Sequence, residues 1–271
     1  MSSLAEAARL EWVSTWAFAH RNIIMARRNV FFLFELTFWP GVAMLSHGLL
    51  TRFLDLTPQM TAFILVGTVS LSAVQVCQLD VAYAVLFDIW SKSMKHQFLA
   101  PVRIYHLALG SWLVGVVRGL IVFALMAWIG ARAFGFDFIG GGPVSLGLFL
   151  LGCFLTALVV GLFVCALVLL FGTRAETSAW AAVNFVVMLS GIYYPVSVLP
   201  GWMEAISTIS PATYALRGIR EAILHGAGPA AVWGDIWPLI VIGAVSIPLG
   251  LWVFRRGELY AKKHGKLKRS G

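Results

Sequence analysis

The chain contains six apolar stretches of about the length that an α-helix needs to cross a lipid bilayer, roughly 20 residues. Charged or Gly/Pro-rich segments separate them. The stretches are residues 30–50, 61–86, 105–131, 144–171, 179–196 and 236–254. Because the bilayer core offers no water to the backbone, each stretch is expected to be helical. The sequence therefore predicts an all-α, polytopic membrane protein with six transmembrane helices.

Composition supports this class. Of the 271 residues, 60% are hydrophobic and 12% are charged, whereas a soluble domain carries roughly 25% charged residues. A water-soluble fold of this length has no means of hiding so much apolar surface. The three cysteines, Cys77, Cys153 and Cys165, lie in apolar stretches without the spacing of a metal site or a histidine partner. They are interpreted as core residues, and no metal site or disulfide is expected.

The distribution of basic residues predicts the orientation. With the N-terminus inside, fifteen lysines and arginines fall on the inner side and four on the outer side. Cytoplasmic loops of membrane proteins are basic, so both termini are expected in the cytoplasm. The same rule accounts for most of the net charge of +8, which is therefore not evidence for a nucleic-acid partner. The basic tail, residues 257–271, is a candidate contact for anionic membrane lipid.

Residues 1–29 have the pattern of an amphipathic helix. Ser3 and Glu6 have capping-box spacing, and Glu11, Ser14 and Arg21 lie opposite an apolar row. The apolar row consists of Leu4, Ala8, Trp12, Trp16, Ala19 and Ile23. Two tryptophans on one face are typical of a helix that lies along the membrane surface. An ordinary cytosolic helix is the alternative.

The segment between the second and third spans has a similar pattern. Trp90, Met94 and Phe98 form an apolar row, and Lys92 and Lys95 lie on the other side. The step from residue 100 to Pro101 is expected to end the helix. The segment is predicted to be a short amphipathic helix at the cytoplasmic surface.

The long outer stretch of residues 197–235, together with the residues just before it, is divided into short pieces by Pro195, Pro200 and Pro211. The last piece begins at Pro211 and stops before Gly226, which are typical start and stop signals of a helix. Within it, Arg217 and Glu221 are spaced for an i,i+4 ion pair. Helices this short do not span a bilayer. The pattern predicts a re-entrant or interfacial hairpin that caps the outer leaflet.

Three charged residues fall inside predicted spans: Glu35, Asp80 and Arg118. Each costs about 2.5 kcal/mol or more to insert, so each is expected to face protein or a water-filled path. We expect Arg118 to pair with Asp80 or Glu35 and to fix helix packing, with a proton relay as the alternative. Gly115 lies four residues before Gly119, a spacing that allows close helix approach.

Sequence motifs for ATP binding and hydrolysis are absent. No GxxxxGK[ST] phosphate-binding loop occurs, and neither HExxH nor GxSxG is present. The chain is therefore expected to bind no cofactor and to have no enzymatic activity of its own.

Taken together, these features resemble the membrane permease subunits of ABC-2 type exporters. The most specific part is the series Ser190-Gly-Ile-Tyr-Tyr-Pro195, Leu199-Pro-Gly-Trp202 and Ser210-Pro-Ala-Thr-Tyr214, followed by a helix that reaches Arg220. The resemblance covers nearly the whole chain as one domain, with residues 1–29 as the interface helix, 30–256 as the six-span core and 257–271 as the tail. It carries little information about the cargo.

The resemblance implies a role for two groups of residues. Residues 88–103 look like the coupling helix that docks on a separate ATPase, although the family often carries acidic residues where this chain has Lys92 and Lys95. The coupling residues are Asp88, Trp90, Lys92, Met94, Lys95, Phe98, Leu99, Pro101 and Arg103. The outer gate or translocation path comprises Tyr193, Tyr194, Pro195, Trp202, Tyr214, Arg217 and Arg220. For Tyr193 and Tyr194, an interfacial aromatic belt is the alternative.

The resemblance also implies the assembly. Two permease subunits, expected to be identical, work with two ATP-binding subunits that hold ATP and Mg²⁺, in the bacterial inner membrane. The implied cargo is a lipid, a lipid-linked glycan or a hydrophobic small molecule. An ATP-independent secondary transporter or channel that uses Glu35, Asp80 and Arg118 is the alternative, and an intramembrane transferase acting on lipid is a third.

Overall fold

The computed structural model of the protein describes residues 2–28, 30–91, 93, 102–138 and 142–264. The side chains of residues 2–5, 7, 30–33, 35, 173 and 187 also lie outside the description. Within the described residues there are nine α-helices and no strand. They are α1 (Ser2–Arg28), α2 (Val30–Phe53), α3 (Pro58–Trp90), α4 (Ile104–Phe134), α5 (Pro143–Phe171), α6 (Glu176–Leu189), α7 (Gly201–Ser207), α8 (Pro211–Leu224) and α9 (Trp233–Lys263). Short 3₁₀ helices occupy Gly172–Ala175 and Val196–Val198.

Four of these helices, α3, α4, α5 and α9, are long and apolar enough to cross a membrane. They have between 29 and 33 residues, well above the roughly 20 that a span requires. Helix α2 has 24 residues and coincides with the first predicted stretch. The structure thus supports four spans, and the count of six stays a prediction.

The fifth predicted stretch, residues 179–196, differs most from the structure. Its helix begins earlier, at Glu176, and ends at Leu189 after only 14 residues. Gly191 then has a φ of 72°, a left-handed conformation that favours glycine and stops the helix. Pro195 follows in an extended conformation and begins the next 3₁₀ turn. Local backbone chemistry therefore ends this helix although apolar residues continue.

Two other helices extend beyond the apolar stretches that predicted them. Helix α3 continues to Trp90, so Asp88 and Trp90 belong to its last turns and not to a separate segment. Helix α9 continues to Lys263, so the first part of the predicted tail is helical. Hydropathy marks where apolar residues stop, whereas a helix continues until its backbone is capped.

Helix α3 occupies the centre of the bundle and packs against α2, α4, α5, α6 and α8. Close contact with α4 depends on Gly115, where an added Cβ would lie 3.0 Å from the carbonyl oxygen of Cys77. A Cβ added at Gly119 of the same helix would likewise press against the carbonyl oxygen of Ala73 on α3. The Gly115/Gly119 spacing therefore serves helix packing within the chain.

The connections gather at the two ends of the bundle. At one end, the Gly142 N–H donates to the carbonyl of Ala222 (2.9 Å) and the Ser145 hydroxyl donates to that of Ala227 (2.7 Å), which joins the α4–α5 loop to α8 and its C-terminal turn. At the other end, α1 packs across the start of α4. Segments predicted to be outer thus meet at one end, and α1 lies at the other.

Candidate functional site

Arg118 and Asp80 meet inside the bundle. Arg118 Nη1 of α4 donates a hydrogen bond to Asp80 Oδ1 of α3, and the two side chains form an ion pair. Their exposed fractions are only 12% and 6%. Of the two partners expected for Arg118, the structure brings Asp80 to it, while the side chain of Glu35 lies outside the description. Pairing offsets the cost of holding either charge in an apolar interior.

A cavity of about 80 Å³, here called the central cavity, lies beside this pair. Helices α2, α3 and α6 provide most of its wall. Its aromatic lining is Trp39, Tyr83, Trp180 and Tyr193, and its polar lining is Thr68, Ser72, Gln75, Asp80 and Arg118. This volume is well below the roughly 300–1,000 Å³ of cavities that hold drug-sized ligands. In this conformation the cavity is therefore too narrow for such a cargo.

A second cavity, of about 240 Å³, lies between α1, α3 and α4. Asn22, Arg28, Phe87 and Val114 line it, together with Asp80. Asp80 is thus shared by both cavities. Its carboxylate, held by Arg118, stands between a space that reaches Tyr193 and one that reaches Arg28 at the end of α1.

Tyr193 and Tyr194 are neighbours in sequence but have different environments. The ring of Tyr193 lines the central cavity, 4.8 Å from the ring of His47 between centroids. The Tyr194 hydroxyl instead donates to the carbonyl of Met188 at 2.7 Å, across the turn that ends α6. Pro195 begins the 3₁₀ turn that follows. Of the three, only Tyr193 lines the cavity.

The two arginines of α8 make different contacts. Arg220 Nη2 donates to the carbonyl of Ile192 at 2.6 Å, and its guanidinium lies 3.5 Å from the centre of the Phe63 ring. Arg220 therefore ties α8 to the residue before Tyr193 and to α3. Gly67 of α3 makes this possible, since a Cβ there would lie 2.1 Å from the same Ile192 carbonyl oxygen.

The predicted pair between Arg217 and Glu221 was wrong. Arg217 Nε donates to Asp235 Oδ1 at 2.6 Å, in the first turn of α9, while Glu221 contacts His225 at 2.9 Å. Packing of α8 against α9 offers Arg217 a more buried carboxylate than its own helix does. Arg217 also lies over the ring of Tyr214, whose hydroxyl donates to the carbonyl of Thr208. Trp202 of α7 is largely exposed.

Residues 88–103, here called the docking segment, are described only at their ends. Lys92, Met94, Lys95, Phe98, Leu99 and Pro101 lie outside the described residues. Asp88 is buried: its carboxylate accepts hydrogen bonds from Arg21 Nη1 of α1 (2.9 Å) and from the Ser93 hydroxyl (2.8 Å). Trp90 packs on Tyr83 and Phe87 and is 43% exposed. Asp88 is therefore engaged within the chain and not at its surface.

The other end of the docking segment is also bound to α1. Glu11 Oε2 accepts a hydrogen bond from the Tyr105 hydroxyl (2.5 Å) and contacts His106 Nε2 (2.6 Å). Arg103 Nη1 donates to the Tyr105 hydroxyl at 3.0 Å. The hydrogen bond from Tyr105 and then that from His106 lower the pKa of Glu11 below its usual 4.5. Helix α1 thus holds both ends of the segment, through Arg21 and Glu11.

These contacts change the interpretation of α1. Its polar residues Glu11 and Arg21 face the protein, while Trp12 and Trp16 stack on each other and stay more than half exposed. The sequence indicated an amphipathic helix but not which face meets the bundle. Partners for its polar face, at Asp88 and Tyr105, lie too far along the chain for any periodicity to identify.

Among the residues that the structure describes, no group of three or more His, Cys, Asp or Glu side chains is placed to hold a metal ion. The three cysteines are free and buried.

The chain also resembles known proteins. A family model described as "ABC-2 type transporter" matches residues 13–224, from α1 to the end of α8.

Three relatives illustrate the similarity. YbhR of Escherichia coli (strain K12), named a probable multidrug ABC transporter permease, is 25% identical over 160 residues, which are 58% of this chain and 42% of YbhR. The linearmycin resistance permease protein LnrN of Bacillus subtilis (strain 168) is 31% identical over 68 residues, 25% of this chain and 18% of LnrN. An uncharacterised protein of Archaeoglobus fulgidus is 40% identical over 47 residues, 17% of this chain and 73% of that protein. The matched part spans less than half the length of YbhR and LnrN.

Proposed function

Because the chain belongs to the ABC-2 type transporter family, whose members are membrane transport subunits, we propose that it is the permease subunit of an ATP-driven exporter. The proposed cargo is a lipid, a lipid-linked glycan or a hydrophobic small molecule. The names of YbhR and LnrN, which refer to multidrug transport and to linearmycin resistance, favour the hydrophobic small molecule.

The observation that carries the proposal is the meeting of two cavities at Asp80. An amphiphilic cargo needs a route with apolar walls and a few polar groups, and the central cavity has this lining. The Asp80–Arg118 pair interrupts the route. Separation of α3 from α4 at this level would break the pair and join the two spaces, so the pair is proposed as the closed gate.

Opening requires an energy source outside this chain. We propose two ATP-binding subunits, which hold ATP and Mg²⁺ and dock on residues 88–103. Docking shifts the permease between closed and open states only if the ATPase binds the two with different affinity. Asp88 and Arg103 then act as positioning residues, since α1 holds them through Arg21 and Glu11. The proposed contacts with the ATPase are Trp90, Lys92, Met94, Lys95, Phe98, Leu99 and Pro101.

A second, identical permease subunit is proposed to cover the open side of the central cavity. Trp39 of α2 lines this cavity and is also 56% exposed, its neighbour Phe38 is exposed, and so is Phe185 of α6. Such a surface suits a protein partner or lipid. The pathway would then lie between the two copies, in the bacterial inner membrane with both termini in the cytoplasm.

At the end of the bundle opposite α1, seven residues are proposed as the outer gate. Tyr193 would contact the cargo directly, because it lines the central cavity. Arg220 and Arg217 would hold the gate in position through Ile192 and Asp235. The remaining members are Tyr194, Pro195, Trp202 and Tyr214.

Copurification and ATPase assays test the proposal. The tagged chain is expected to retain an ATPase with a phosphate-binding loop, and the complex is expected to show cargo-stimulated hydrolysis. Changing Lys92 and Lys95 to Glu together with Phe98→Ala is expected to abolish the stimulation while the permease still inserts. The single change Arg132→Glu, at the opposite end of the bundle, is the control and is expected to leave the stimulation intact. Full stimulation in the triple variant would contradict the docking assignment.

The buried Asp80–Arg118 pair also favours a second candidate, an ATP-independent secondary transporter that uses Glu35, Asp80 and Arg118. The two functions differ in their energy source. Transport by the chain alone in proteoliposomes, abolished by a protonophore and by Asp80→Asn, would establish the second function. Transport that depends on the added ATPase and persists with the protonophore would establish the first.

A further inference from the structure

A third cavity, of about 470 Å³, lies between the C-terminal parts of α5 and α9. Ala166 and Leu170 of α5 form one wall. Trp252, Arg256, Tyr260 and Lys263 of α9 form the other. It is separate from the two cavities that meet at Asp80, and its volume is in the range of sites that hold small organic ligands, about 300–1,000 Å³.

The lining of α9 combines aromatic and basic residues on one face. Positions 252, 256, 260 and 263 recur at helical spacing, so their side chains lie in a row. The Arg256 guanidinium lies 5.2 Å from the centre of the Trp252 ring. Glu258, the acidic residue of this part of the helix, points away and accepts from Lys262 at 2.6 Å. In the described ranges, Arg256 and Lys263 have no carboxylate within ion-pair distance.

The position along α9 corresponds to the edge of the apolar layer. The predicted apolar stretch ends at Phe254, and the basic residues begin at once with Arg255. Trp237, Ile240 and Val245 of the same helix are more than half exposed, which is typical of a helix that faces lipid. Tryptophan and tyrosine beside arginine and lysine at this level are the usual anchors at a headgroup layer.

We propose that this cavity binds one anionic phospholipid. Arg256 and Lys263 contact the phosphate-bearing headgroup, Arg256 through its planar guanidinium, which suits phosphate oxygens. Trp252, one turn toward the bilayer centre, flanks the glycerol region, Tyr260 lies at the level of the headgroup, and the acyl chains follow the apolar wall at Trp252 and Val253. A freely soluble phosphate would gain nothing from that wall, so the structure favours a lipid over an inorganic anion. The site does not depend on the proposed transport function.

Native mass spectrometry of the full chain tests the site. Purified protein is titrated with phosphatidylglycerol or with phosphatidylcholine, and retained lipid is counted. Wild type is expected to retain one phosphatidylglycerol at least about tenfold more tightly than phosphatidylcholine, and the variant Arg256→Gln with Lys263→Gln is expected to lose this preference. The matched control, Arg255→Gln with Lys262→Gln, removes the same charge from the other faces of α9 and is expected to keep it. Equal binding in both double variants would overturn the proposal.

Two further measurements distinguish a lipid site from a phosphate site and keep the proposal testable if the double variant does not fold. Inorganic phosphate at millimolar concentration is expected to leave the lipid bound, and displacement by phosphate alone would identify a site for the free anion and overturn the assignment to lipid. If the double variant does not fold, Leu170→Trp fills the cavity without changing charge. It is expected to abolish the rise in thermal midpoint that phosphatidylglycerol gives to the wild type, and an unchanged rise would overturn the proposal.

Discussion

Arg118 and Asp80 lie 38 residues apart in the sequence and share a hydrogen-bonded ion pair across the α3–α4 interface, where neither side chain is more than 12% exposed. Asp80 lines both the central cavity, which reaches Tyr193, and the cavity beside α1, whereas Arg118 lines the central cavity. The pair therefore joins α3 to α4 beside the wall that the two cavities share.

Removing one member of the pair is expected to cost more than removing both. Arg118→Ala leaves the Asp80 carboxylate without its charge partner in an apolar interior, at a cost of about 3–5 kcal/mol. The double variant Asp80→Ala with Arg118→Ala leaves no charge behind. Thermal unfolding of the purified protein in detergent should place the double variant closer to wild type than either single variant. A double variant that loses the sum of both single effects would contradict this account.

Gly67 is expected to be intolerant of any side chain. Gly67→Ala places a methyl group against the Ile192 carbonyl, and relief requires the segment before Tyr193 to move, at about 1–3 kcal/mol. Gly147→Ala on α5 is the matched control because nothing lies within 4 Å of its added Cβ. That change should be neutral or slightly stabilising, within about 1 kcal/mol, since alanine favours helix. Thermal midpoints of the two variants give the comparison, and equal midpoints would refute the close contact.

A charge swap tests the ion pair between Arg21 of α1 and Asp88 of the docking segment. Arg21→Ala leaves the buried Asp88 carboxylate with fewer donors and is expected to destabilise this end of the protein by about 1–3 kcal/mol. Combining Arg21→Asp with Asp88→Arg restores an ion pair in reversed order. Partner-stimulated ATPase activity should fall in each single variant and recover in part in the swap. No recovery would indicate that the individual side chains matter beyond their mutual charge.

Low pH is expected to weaken the contact of Glu11 on α1 with Tyr105 and His106 on α4. The lowered pKa of Glu11 means that its contact with Tyr105 and His106 is at full strength above about pH 4.5 and is lost as pH falls through the lowered value. Spin labels at the exposed positions Ala17 and Leu120 report the separation of α1 from α4. Their distance distribution should broaden on acidification, and Glu11→Gln should give the broad distribution already at neutral pH. Glu6→Gln, on the exposed part of the same helix, is the control and should behave as wild type.

Hydrophobic length alone predicted most of the fold. Helices α3, α4, α5 and α9 coincide with long apolar stretches because a span must be both apolar and about 20 residues long. The end of α6 was not predictable in this way. It depends on the left-handed backbone of Gly191, whereas Ile192 and Tyr193 continue the apolar run.

The candidate site was predictable in part. Asp80 and Arg118 could be singled out because charge is rare in apolar stretches, but the sequence left two carboxylates open as partners. Arg217 was assigned to Glu221 on local spacing, and its partner Asp235 lies on another helix. Residues such as Trp39 and Trp180 carry no signal that separates a cavity wall from an aromatic belt. Only the packing of α2, α3 and α6 brings them together.

The hold of α1 on both ends of the docking segment has a thermodynamic consequence. The segment begins at Asp88, which Arg21 holds, and ends at Arg103, which lies beside Glu11, so α1 fixes the positions of both ends. A free loop of this length would lose conformational entropy when a second molecule immobilised it, and that loss would weaken the complex. Because folding already fixes the two ends, docking of the proposed ATPase on this segment would cost less entropy than docking on a loop with free ends, and association would retain more of its contact energy.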